Sequence, residues 1–353
     1  MQTETETETE TETHNLLPLG LARSALPALA LAALPALALA LAACGLADPG
    51  EPGNLVPRTV AEDPSLPGIE LAGTRFHAET FGDPANPPLI FLHGGPGGDY
   101  RGLLRLRPLL EDDYYLVFWD QRGSGLSQRH DADDIDTDVY IADLDAILDH
   151  YAPTAPPVIV GHSWGGMFAA AYINEHPDRV AAAVMLEPGP LTGALFEEKK
   201  DEIISIDVFS EWANDFLWQQ RFLSSDDHAV LDYAPLIAKD HAQPAYHQSE
   251  TDPEPSWRFG TVAQNALYAD GMPDGIGTWD FTTNIMAFPG AVHLVASELN
   301  TVIGVEFQER QRAFFAHPTL SVVEGAGHDF PWTHPDATAA VVRQTLDQIA
   351  YGE

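Results

Sequence analysis

The chain has 353 residues, 45% of them hydrophobic and 20% charged, with 28 Gly and 28 Pro. That balance excludes collagen-like, coiled-coil and wholly disordered chains and leaves room for two domains, or for one large α/β domain carrying an insertion. Seventeen basic against fifty-three acidic residues give a net charge of −36, which repels phosphate backbones and excludes nucleic acid as a partner; the single cysteine excludes an intrachain disulfide.

Residues 2–13 alternate Thr and Glu after a leading Gln, a low-complexity acidic stretch with nothing to bury. From Leu16 to Ala43 the chain is almost all Leu, Ala and Pro, with Arg23 as its only charge, as expected of a membrane-directed segment. It ends Leu41-Ala42-Ala43-Cys44-Gly45, which resembles the lipobox of bacterial lipoproteins. That resemblance implies lipidation at Cys44 and an extracytoplasmic place in a bacterial cell envelope, held by an N-terminal lipid anchor; an uncleaved transmembrane anchor is the alternative. Residues 1–44 thus read as a disordered N-terminus plus signal segment, and 45–67, rich in Gly, Pro, Glu and Asp, as a tether.

Beyond the tether, short apolar runs predict buried strands at Leu89–Leu92, Tyr114–Trp119, Val158–Val160, Val180–Leu186, Val292–Ala296 and Leu320–Val323. Amphipathic helical stretches at Val139–Tyr151, Trp164–His176 and His334–Tyr351 alternate with them, which predicts a mostly parallel, doubly wound α/β sheet over 68–190 and 286–353. The alternation breaks over 191–285, where helical spacing recurs at Ile203–Phe222 and Val230–His241; this stretch is expected to be an inserted, mostly helical cap.

Gly161-His162-Ser163-Trp164-Gly165-Gly166 is a G-x-S-x-G run between a predicted strand and a predicted helix. Its glycines permit a turn tight enough to leave Ser163 exposed at the tip beside the helix's first amides, the setting of a nucleophile. His93-Gly94-Gly95-Pro96-Gly97-Gly98 follows another strand and offers backbone amides to a substrate carbonyl, so the N–H groups of Gly95 and Trp164 are the candidate oxyanion hole. His328, in Glu324-Gly325-Ala326-Gly327-His328-Asp329 after the last strand, is the candidate general base, since this architecture runs Ser, acid, His in chain order.

Together with Asp120-Gln121-Arg122-Gly123-Ser124-Gly125-Leu126-Ser127, these runs resemble the proline iminopeptidase branch of the α/β-hydrolases. The resemblance spans about Gly68–Leu191 and Pro289–Tyr351. It implies a serine hydrolase that works without cofactor or metal through an acyl-enzyme and releases an N-terminal residue from peptides. An esterase or lactonase on small hydrophobic esters is the alternative, and a non-catalytic ligand-binding member of the fold the reading from another class. An iminopeptidase must recognise a free amine, for which Glu211, Asp215, Glu250 and Glu254 are available in the cap. Trp212, Trp218 and Trp257 are expected in core and pocket walls. The family's usual acid position falls on Asn300, an amide, so the carboxylate must come from Glu187, at the end of the predicted strand Val180–Leu186, or from Glu298, unless Asn300 acts alone; Glu187 is the preferred candidate. Asp120 and Arg122 are expected to brace the oxyanion loop as a bonded pair. Oligomeric state is not legible.

Overall fold

The computed structural model describes residues 56–203, 228–229, 231–232 and 254–350. The chain divides into a unit over Met1–Gly50, which lies outside the described residues, and a second over Glu51–Glu353. The apolar segment and Cys44 therefore fall outside the described residues, among which no helix is long and apolar enough to cross a membrane.

An eight-stranded sheet organises the second unit: β1 (Gly68–Leu71), β2 (Thr74–Phe81), β3 (Pro88–Leu92), β4 (Tyr115–Trp119), β5 (Val158–His162), β6 (Ala182–Leu186), β7 (Ala291–Ser297) and β8 (Pro318–Val323), in the order β1-β2-β4-β3-β5-β6-β7-β8. From β4 to β8 all neighbours are parallel; β1 and β2 add an antiparallel edge. All five residues of β5 and of β6 are buried. A parallel strand covered on both faces has no polar side, which is why these runs read as continuous apolar stretches. The edge hairpin Gly68–Phe81 escaped the sequence reading because its residues, Gly-Ile-Glu-Leu and Thr-Arg-Phe-His-Ala-Glu-Thr-Phe, alternate polar and apolar without a long apolar run.

Helices cover the two faces. α1 (Thr137–Tyr151) starts where the Asp136 carboxylate accepts the Val139 N–H at 2.7 Å and buries Tyr140, Ile141, Leu144, Ile147 and Leu148 against one face. α2 (Trp164–Glu175) follows β5 directly and is buried along most of its length. α3 (Gly193–Ile203) and α4 (Thr261–Gly271) are the helices described within the 191–285 stretch expected to be a cap; of its two predicted helical stretches, Ile203–Phe222 falls almost wholly, and Val230–His241 mostly, outside the described residues. α5 (Val305–Arg312), a polar helix without a recognisable stripe, was not foreseen, and α6 (Pro335–Ala350) closes the chain.

Of the expected tether over 45–67, residues 45–55 lie outside the described residues, and residues 56–67 require correction. Val56 and Val60 are buried, the Val60 N–H bonds the Leu126 carbonyl at 2.8 Å, and the Thr59 N–H bonds Glu62 at 2.8 Å. Two valines four residues apart have apolar surface to bury, so residues 56–67 dock on the domain. Arg258, itself buried, donates to the Pro57 carbonyl at 3.0 Å from the far side of the insertion.

Candidate active site

Ser163 stands at the tip of the β5–α2 turn with φ 55° and ψ −118°, a left-handed backbone that a side chain resists. The turn is held from several sides. The Ser163 N–H bonds the Leu186 carbonyl of β6 at 3.0 Å, and the Ser163 carbonyl accepts from Gly166 at 3.0 Å and Met167 at 3.2 Å. A Cβ at Gly165 would fall 2.1 Å from the Leu92 carbonyl oxygen, so only glycine lets α2 begin this close to β3. The same closeness brings the second glycine-rich loop to the serine: a Cβ at Gly94 would sit 3.1 Å from Ser163 Cβ. Gly95, Ser163, Trp164 and His328 border one cavity of about 110 Å³.

Glu187, the residue after β6, is fully buried and also has positive φ, 48°. Its Oε2 lies 2.6 Å from His328 Nδ1. Two further residues complete its surroundings: Ser297 donates to Oε1 through both N–H (2.7 Å) and Oγ (2.6 Å), and Asn300 Nδ2 donates to Oε2 at 3.0 Å. A buried carboxylate needs such donors, and here there are four. Of the three acid candidates, Glu187 is therefore the one brought to His328; Asn300 acts on Glu187 instead, and Glu298 accepts the Gly325 N–H at 2.8 Å on an exposed side of the same loop.

Two supports of the site lie within the motif runs but received no role from the sequence. Gln121 Nε2 donates to the His93 carbonyl at 3.1 Å, while its Oε1 accepts the Trp164 indole N–H at 2.9 Å, which ties the oxyanion loop to the serine turn. His162 lies beside His328, ring centroids 4.7 Å apart, and its Nε2 meets the His328 carbonyl at 3.0 Å. What Gln121 and His162 do depends on contacts 28 to 166 residues away, which the runs they belong to do not show.

The expected Asp120–Arg122 pair is not formed. Arg122 makes a two-point ion pair with Asp143 of α1, at 2.7 and 2.6 Å, while Asp120 accepts the Tyr100 N–H at 3.0 Å and the Leu126 N–H at 2.7 Å and meets His77 Nδ1 at 2.8 Å. Residue 122 lies in the turn beyond β4, and its side chain reaches Asp143 of α1, while Asp120 keeps its partners at His77, Tyr100 and Leu126. Burial pulls the His77 imidazole down, but its bond to Asp120 and the nearby charges of Asp120, Glu79 and Asp99 outweigh this and hold it above its ordinary value. Burial, with Asp120 close by, raises the Asp99 carboxyl although it accepts several hydrogen bonds.

The cavity wall is apolar, built by Met167, Phe196, Leu267, Met272, Trp279 and Phe281 with Thr137 and Tyr268 at its polar points; no Asp, Glu, Lys or Arg side chain lines it among the described residues. Glu254 packs against Gly102, outside the cavity lining, and Glu211, Asp215 and Glu250 lie outside the described residues, as do Trp212 and Trp218. Trp257, partly buried, packs against the core, edge-on to His77 and Tyr100. Among the described residues no three His, Cys, Asp or Glu side chains are grouped to hold a metal ion.

Residues 87–335, more than half of the chain, match the family described as the alpha/beta hydrolase fold. A proline iminopeptidase of Xylella fastidiosa (strain Temecula1 / ATCC 700964) is 35% identical over 112 residues, 31% of this chain and 35% of that protein, so the matching stretch spans about a third of the relative's length. Among solved structures, a proline iminopeptidase of Mycobacterium smegmatis superposes with a TM-score of 0.58 at 19% identity, covering 80% of this chain and 98% of that one. Est816, described as an N-acyl homoserine lactone degrading enzyme, gives 0.56 at 21% identity, covering 79% and 99%. At those identities the likeness is one of fold.

Proposed function

Since the chain belongs to the α/β-hydrolase fold family, we propose that it is a serine hydrolase that transfers an acyl group to water through Ser163. The observation that carries this reading is the convergence on one cavity of a serine on a strained strand-to-helix turn and a histidine whose Nδ1 is 2.6 Å from a buried carboxylate. With Glu187 holding Nδ1–H, His328 presents its Nε2 lone pair as general base. It takes the Ser163 hydroxyl proton as Oγ attacks the carbonyl carbon. The tetrahedral oxyanion then accepts from the Gly95 and Trp164 N–H groups, for which the described residues provide no intramolecular acceptor. His328 returns the proton to the leaving group, and water, deprotonated by the same imidazole, hydrolyses the acyl-enzyme and regenerates the serine.

The similarity to proline iminopeptidases supports release of an N-terminal residue from a peptide. The cavity favours a second reading. Among the described residues its wall is apolar and carries no carboxylate to receive an ammonium, which suits the acyl group of a small hydrophobic ester or lactone. The sequence around Cys44 supports lipidation and an extracytoplasmic, membrane-anchored enzyme. The test is hydrolysis of a prolyl arylamide beside a short-chain aryl ester, with fluorophosphonate labelling and Ser163→Ala as control. Labelling and turnover are expected, both lost in Ser163→Ala; labelling that persists in the variant rules the reading out. Amide cleavage selects the aminopeptidase, ester cleavage alone the esterase.

A further inference from the structure

The amide of Asn300 has its orientation fixed by its neighbours. Its Oδ1 faces the backbone N–H groups of Val302 at 2.9 Å and Ile303 at 3.2 Å, which can only donate, so the oxygen must lie on that side. The Nδ2 end therefore points the other way, at Glu187 Oε2, 3.0 Å off. That oxygen is the one His328 Nδ1 meets at 2.6 Å, while Oε1 is occupied by Ser297 N–H and Oγ–H. Glu187 and Asn300 are both buried, so water does not substitute for a lost donor there.

We propose that Asn300 is a positioning residue for the acid of this site: its N–H holds the Glu187 carboxylate in line with His328, and a carboxylate at residue 300 would work against it. This rests on the serine hydrolase reading. Aspartate is nearly isosteric with asparagine, and its Oδ1 would keep both backbone bonds, including that to Ile303, which lines the cavity. Its Oδ2, however, would replace a donor by an acceptor about 3 Å from Oε2, and two carboxylate oxygens at that separation repel unless a proton is shared between them. Either relief, a shared proton or a side chain swung aside, removes Glu187 from its line with His328.

The experiment uses the full chain, p-nitrophenyl acetate as substrate and the proton spectrum of the His328 Nδ1–H, a downfield resonance assigned by its absence in Glu187→Gln. For Asn300→Asp, kcat is expected to fall at least about a hundredfold with KM within about threefold, and the resonance to move. Asn300→Ala, which removes the donor without adding a charge, is expected to fall about tenfold in kcat and to move the resonance less. Wild-type kcat and an unmoved resonance in Asn300→Asp overturn the proposal, and where that variant does not fold the same reading of Asn300→Ala decides. A resonance that moves in Asn300→Asp while wild-type protein turns over neither ester nor amide leaves the positioning role standing and removes the hydrolase reading instead.

Discussion

The indole N–H of Trp164 donates to Gln121 Oε1 across 2.9 Å, and through the other end of that amide reaches the carbonyl of His93. The two loops that carry the candidate oxyanion donors are thereby held at a fixed spacing by one side chain. Gln121→Ala removes the link but neither donor, so kcat for an aryl ester should fall about tenfold, less than the ~10²- to 10³-fold of a deleted donor, with KM little changed. Steady-state kinetics on the purified variant check this; an unchanged kcat means the loops hold their spacing without Gln121.

Glu187→Gln keeps the shape of the acid but leaves His328 Nδ1 facing an amide. Turnover should drop by about 10² to 10⁴, as when an imidazole is left in the wrong tautomer, and the rate of fluorophosphonate labelling should drop with it. Glu298→Gln touches only the bond to Gly325 N–H and should stay within about twofold of wild type. The reverse ranking would identify Glu298 as the acid.

Gly165→Ala tests the packing that forms the serine turn. The added methyl would meet the Leu92 carbonyl oxygen at 2.1 Å, a main-chain atom of a central strand that has no room to retreat. A loss of about 3 kcal/mol or more in urea unfolding is expected. A stability equal to wild type would show that α2 can shift away from β3.

How far the sequence carried this picture depended on where each interaction lies. The central strands were legible because parallel strands must be apolar throughout, and Ser163 because its turn needs glycines at fixed local spacing. The roles of Gln121 and His162 and the Asp143 partner of Arg122 were not legible: each acts on a residue far away in the chain, and a motif run does not show which of its side chains bridge to another loop. Glu187 fell between. Its position at a strand end made it a candidate, but only the fold showed that Ser297, Asn300 and His328 converge on it.

His293 gives the fold a pH dependence separate from the active site. It is buried in β7 between Ser321 Oγ at 2.9 Å and Thr319 Oγ1 at 2.8 Å, and burial pushes its imidazole from 6.5 down to about 4. Between those values the unfolded chain holds the proton that the folded one does not. Stability present above pH 6.5 is therefore lost as the pH falls through about 4, by up to about 3 kcal/mol from this group. Urea midpoints of wild type and His293→Gln between pH 7 and pH 4 should converge as the pH falls; parallel curves would assign the loss to other groups.

One buried aspartate ties the far side of the insertion to the catalytic loops. Asp99 Oδ2 accepts from Ser256 Oγ and the N–H groups of Trp257 and Arg258 at 2.6 to 3.2 Å, and the Gly260 N–H bonds the Gly97 carbonyl at 2.7 Å. Asp232, within the insertion, meets Arg258 at 2.7 Å and Arg129 at 3.0 Å. Residues 256–260 of the insertion, just ahead of α4, are thus stitched to the glycine loop two residues beyond Gly95. A displacement of residues 256–260 would have to break those bonds or carry the loop along. In mechanical terms the insertion is anchored at residues 256–260, which serve as the back wall of the oxyanion loop.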